Sequence, residues 1–152
     1  MHTKHVRDSV STLAVIAVLS FLLNYMWETV HEAFLYKEHS FRAEKYIVMM
    51  LYVSTVDASV ILGMYLGIAA LWKDILWLRE MKWQQAFVVC VAGMAIAAFI
   101  EYRSVLVLKE WSYTPLMPTI FGIGVSPLLQ LSVTGLLTFW LTRIILFGGK
   151  DL

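Results

Sequence analysis

The chain has 152 residues, 60% of them hydrophobic and 15% charged, with a net charge of +1. A soluble domain is roughly half apolar and a quarter charged. Here the apolar excess is gathered into long runs separated by short charged patches, the distribution a bilayer core selects. The near-neutral balance and the lack of a basic block argue against a nucleic-acid partner. The one cysteine, Cys90, cannot form an intramolecular disulfide and reads as a small hydrophobe.

Lys4 and Arg7 precede the first apolar run in the manner of a signal peptide. That run continues into Trp27 and Glu28 without a small-x-small cleavage site, so an uncleaved first helix is expected. It spans residues 9–30, close to the ~20 residues a crossing needs. Ala33 to Tyr36 add another apolar patch, and Lys37 to Lys45 read as a loop or interfacial turn.

The second helix is expected over 46–72, with Asp57 inside it and Ser54 one turn away. Its Gly63-x-x-x-Gly67 pair allows close approach of another helix. In the link that follows, Trp72, Trp77 and Trp83 stand among Lys73, Asp74, Arg79, Glu80 and Lys82, the pattern of an aromatic belt at headgroup level. The third helix is expected over 84–108, with Gly93 and Ala97 as a small-x-x-x-small pair and Glu101, Tyr102 and Arg103 near its end.

From Lys109 to Pro127, three prolines (Pro115, Pro118, Pro127) with Gly122 and Gly124 forbid one regular helix. A structured, re-entrant connector is expected. The fourth helix follows over 126–147 and ends at Gly148-Gly149-Lys150. The fold class is therefore all-α: a polytopic four-transmembrane-helix bundle forming a single transmembrane domain over 1–152. Lys4, Arg7, Lys73, Arg79, Lys82, Arg143 and Lys150 fall on one side of the membrane; Lys37, Arg42, Lys45 and Lys109 fall on the other. The positive-inside rule then places both termini in the cytoplasm, for a bacterial inner-membrane protein.

Depth groups the polar residues. At ~1.5 Å rise per residue, Asn24 and Glu28 lie in the last turns of helix one, Glu101 and Arg103 in the last third of helix three, and Gln130 in the first third of helix four. All sit in the half of the membrane away from the N-terminus, and Asp57 borders that half. Asn24, Glu28 and His31 share one stripe at i, i+4 and i+7, bordered by Trp27. Glu101 and Ser104 share a face, whereas Glu101 and Arg103 do not. Arg103 then pairs on another helix or reaches the interface. Charge at membrane depth is costly unless paired or hydrated, which makes these residues candidates for function.

Glu28-x-x-His31 is half of the spacing used by carboxylate-bridged di-iron sites. No second copy occurs, so no metal is expected. No P-loop, nucleophile elbow, zinc-protease helix or CxxC is present, and the cofactor is left unassigned.

Asn24-x-x-Trp27-Glu28, Glu101, Trp111-Ser-Tyr113, Met117-Pro118, Gly122, Gly124 and Ser126-Pro127-Leu-Leu-Gln130 together resemble a pattern of small uncharacterised bacterial membrane proteins. The last third is also similar, more faintly, to the membrane domains of lycopene-cyclase-type carotenoid enzymes. Those carry W-x-Y, then glycine, then proline followed by acidic residues. This chain departs by having Leu128, Leu129 and Gln130 where the acids would stand.

These residues point to an intramembrane enzyme acting by proton transfer on a lipophilic, isoprenoid- or quinone-like molecule. Asp57 and Glu101, with Glu28, are the candidate catalytic carboxyls. Asn24, Trp27, His31, Arg103, Trp111, Tyr113 and Gln130 are candidates for substrate binding. The alternatives are an accessory subunit of a membrane complex, with interhelical polar ties, and a proton or cation transport or binding module. Expected partners are the bilayer, a lipophilic small molecule, and a homo-oligomer or larger membrane complex.

Overall fold

The computed structural model describes residues 2–37 and 42–148. Gly149, Lys150 and the middle of the 37–45 loop lie outside them. The elements are α1 (His2–Leu35), α2 (Ala43–Trp72), a 3₁₀ turn (Trp77–Glu80), α3 (Trp83–Glu101) continued by a π-helical turn (Tyr102–Val107), the short strands β1 (Thr119–Ile120) and β2 (Ile123–Gly124), and α4 (Val125–Phe147). Four of these helices are long and apolar enough to cross a membrane. The chain is a multi-pass, all-α integral membrane protein.

α1 runs past both expected ends. No proline or glycine interrupts it, and Glu28 and His31 face inward instead of ending it. α2 stops where Lys73 turns left-handed at φ 55° and its N–H bonds the carbonyls of Ala69 and Ala70.

α1 packs along α2 and α4, and α3 packs along α4; α2 and α3 touch little although they are consecutive. The α3–α4 seam is close because of Gly93, where a Cβ would come within 2.8 Å of the Ser132 nitrogen. The Ser132 hydroxyl donates to the Cys90 carbonyl (2.8 Å) across that seam. Gly63 and Gly67 take no part in packing within this chain. Nothing lies within 4 Å of a Cβ at either, and both face outward. The inward face of α2 is instead Met50, Ser54, Asp57, Ile61, Met64 and Ile68.

The half of the bundle nearer the α2–α3 link is filled by aromatic rings. Tyr65, Trp77 and Phe139 pack at centroid distances of 5.4 to 5.9 Å, and the Trp77 indole N–H donates to the Tyr65 carbonyl (3.3 Å). Trp77 is thus a core residue and not part of an interfacial belt. The link folds back into the bundle and carries Leu76, Trp77 and Leu78 inward, while Trp72 and Trp83 stay exposed. At this end Arg79 pairs with Asp8 (2.5 Å) and lies over the Phe147 ring (5.3 Å). The start of α1, the α2–α3 link and the end of α4 therefore meet at one face.

The connector closes the opposite end. It is tied to α1 by main-chain bonds from Lys37 N–H to the Ser112 carbonyl (3.0 Å) and from Thr114 N–H to the Leu35 carbonyl (2.9 Å). β1 and β2 form a two-residue hairpin whose central residues, Phe121 (φ 51°) and Gly122 (φ 80°), both have positive φ. Two positive φ values mark a type I′ turn. Glycine enters that region freely, but Phe121 does so at a cost of about 1–2 kcal/mol.

Candidate functional site

All four helices and the connector border one cavity in the half of the bundle away from the N-terminus. It holds about 750 Å³ of empty space, its mouth included. Its apolar walls are Met49, Met50 and Val53 of α2, Ala97 and Ile100 of α3, and Pro127 and Leu131 of α4. Its acidic groups are Glu28 and Glu32 of α1, Asp57 of α2 and Glu101 of α3; among the described residues no lysine, arginine or histidine lines it.

Helical spacing brings these residues together. Glu28 and Glu32 of α1 and Tyr36, just past its end, recur every four residues, and all three line the cavity. On α2, Met50, Val53 and Asp57 do the same at i, i+3 and i+7, and on α3 Ala97, Ile100 and Glu101 do so at i, i+3 and i+4.

Two polar clusters stand on the wall. In the first, the Gln130 side-chain nitrogen faces three acceptors: Glu28 Oε1 (2.5 Å), Asp57 Oδ2 (2.9 Å) and Asn24 Oδ1 (3.2 Å). The Thr134 hydroxyl also donates to Asn24 Oδ1 (3.1 Å). An amide nitrogen has two hydrogens, so three acceptors over-subscribe it. Glu28 and Asp57 thus converge on one nitrogen, and two carboxyls held this close repel unless one carries a proton.

In the second cluster Glu101, only 5% exposed, is an acceptor for two phenols. The Tyr113 hydroxyl donates to Glu101 Oε2, and the Tyr36 hydroxyl reaches Oε1 at 3.4 Å. Tyr113 is fixed in turn by the Gly124 N–H, which donates to its oxygen (3.0 Å). Burial first, and then the neighbouring Glu101, pushes both phenols well above the usual tyrosine range. Each stays an O–H donor at working pH, which leaves Glu101 in the role of acceptor.

Glu28, Asp57, Glu101, Trp111 and Gln130 stand on the cavity wall. Asn24 and Tyr113 sit behind it, bonded to Gln130 and Glu101. Trp27 and His31 form a further layer: the His31 ring lies 5.4 Å from Trp27 and 6.1 Å from Tyr36, and its Nε2 bonds the Ser126 hydroxyl. Arg103 is apart from the rest. It lies exposed on the π-helical turn and does not line the cavity, as its two-residue offset from Glu101 requires.

Sequence reasoning passed over Tyr36, Glu32, Met49, Met50 and Pro127. Glu32 and Tyr36 had a signal in their spacing from Glu28. The methionines and the proline had none, because an apolar residue in an apolar helix does not say which face it occupies. No known protein family, curated protein or solved structure matches the chain, so the functional reading rests on this geometry.

Proposed function

We propose that the protein is an intramembrane enzyme that binds a neutral or cationic lipophilic molecule in the cavity and moves protons to and from it. The observation that carries this reading is the convergence of two differently arranged carboxyl clusters on one largely apolar cavity at membrane depth. Glu28 and Asp57, sharing a proton, are the donor. Glu101, held by two phenols, is the acceptor. Groups held in contrasting environments supply both halves of acid–base catalysis.

A proton added to the substrate at one atom and removed at another amounts to an isomerisation, with no oxidant or reductant. Gln130 and Asn24 orient the donor pair, Tyr36 and Tyr113 orient Glu101, and Trp111 walls the cavity. With Glu28, Asp57 and Glu101 on the wall, a fatty carboxylate or phosphate monoester is disfavoured by like-charge repulsion and desolvation. Interhelical ties alone would account for Asn24, Gln130 and Thr134, but would leave the cavity and the Glu101 cluster without a role.

The test is solvent-deuterium incorporation. Reconstituted protein is incubated in D₂O with a total membrane-lipid extract, and the lipophiles are read by mass spectrometry. One class should gain deuterium with the wild type and not with Glu101→Gln or Asp57→Asn. A labelling profile equal to the protein-free control rules the reading out.

A further inference from the structure

The connector carries a second surface, distinct from the cavity. From Trp111 to Thr142 there is no charged side chain, so the whole hairpin and its flanks lack the groups that keep a loop in water. Three of its large apolar residues point outward, while Met117 is buried: Leu116 is 71% exposed, Ile120 52% and Phe121 96%. The hairpin also lies back against the bundle. A Cβ on Gly122 would lie 3.5 Å from the Leu106 side chain, and Leu106 is inside the membrane-spanning segment Trp83–Val107. Leu106, Val107 and Leu108 are themselves exposed. The hairpin tip therefore continues the outward apolar surface at the end of the third span.

We infer that the 116–124 segment is a lipid-inserted flap: Leu116, Ile120 and Phe121 dip among acyl chains beside the end of α3, and the occupant of this surface is the bilayer itself. Three observations converge on lipid. Charge is missing, which removes the cost of leaving water. The apolar surface is continuous with that of a spanning helix. A bulky aromatic also occupies a left-handed turn position that glycine or asparagine would take without strain, and in water a side chain so exposed would gain nothing to offset it. Ile120 pairs with Ile123 across the hairpin, Val125 N–H bonds the Pro118 carbonyl (2.9 Å), and the Gly124 N–H is taken by the Tyr113 hydroxyl, partners of the kind non-helical backbone at membrane depth requires.

The test is site-directed nitroxide labelling in a Cys90→Ser background, with the full chain in liposomes. Phe121→Cys and Leu116→Cys are labelled separately, with Lys109→Cys as the aqueous-side reference. Power-saturation measurements then compare accessibility to oxygen, which concentrates in the acyl region, with accessibility to a water-soluble nickel chelate. The flap predicts an oxygen-to-nickel ratio severalfold higher at both 116 and 121 than at 109. A nickel accessibility at both positions equal to that at 109 would place the hairpin in water and overturn the inference. Using two sites guards against a local distortion at the turn.

Discussion

Gln130 is the residue on which the donor cluster turns. Its amide is the shared donor for Asn24, Glu28 and Asp57, and leaving buried acceptors unserved costs about 1–3 kcal/mol. Gln130→Leu should therefore lower the unfolding free energy in detergent by about that amount, measured by chemical denaturation. A second residue-scale expectation concerns alkali. Tyr113 ionises near pH 10.0 when unfolded and well above that when folded. Its contribution to stability is thus fully present below pH 10 and is lost as pH rises toward the folded value, because the unfolded chain gives up its proton first. Tyr113→Phe should show a shallower loss of thermal stability above pH 10 than the wild type. Asp57 and Glu101 were legible in the sequence because a charge inside an apolar run is costly. The outward direction of Arg103 was legible in outline from helix geometry. Tyr36 was not, because a tyrosine at the end of an apolar patch looks the same whether it caps a site or lies in the headgroups.

At the scale of elements, the two small-residue patterns make opposite predictions. Gly93 sits against the Ser132 backbone, whereas Gly67 has open space around it. Gly93→Val should force α3 from α4 and cost about 1–3 kcal/mol, as overpacking does. Gly67→Val should leave stability unchanged within about 0.5 kcal/mol. Equal effects in a thermal-shift assay would contradict the packing described here. Helix number and order could be read from hydropathy, since span length and apolar runs are one-dimensional properties. Which glycine pair meets a neighbour could not, because that depends on the rotation of each helix about its axis. The same limit explains Trp77: its composition fits a headgroup belt, and only the fold-back of the α2–α3 link carries it inside.

At the scale of the whole molecule, the bundle divides into an aromatic-filled half next to the α2–α3 link and a half that holds the cavity and its carboxyls. The depth of each polar residue was legible from sequence, so their convergence was foreseeable; the cavity between them was not, since empty space leaves no mark on composition. The division predicts ligand selectivity. A long-chain alcohol or amine should protect the reconstituted protein against thermal unfolding more than the fatty acid of equal length at pH 8, and the reverse order would contradict the charge argument. The most direct measurement is native mass spectrometry of the protein released gently from nanodiscs, comparing the wild type with Glu101→Gln and with the cavity-filling Ala97→Leu. The account predicts a discrete lipophilic adduct on the wild type that is depleted in both variants while each keeps a cooperative thermal transition. A wild type that flies without adduct, or an adduct equally retained when the cavity is filled, would contradict a ligand site in this cavity.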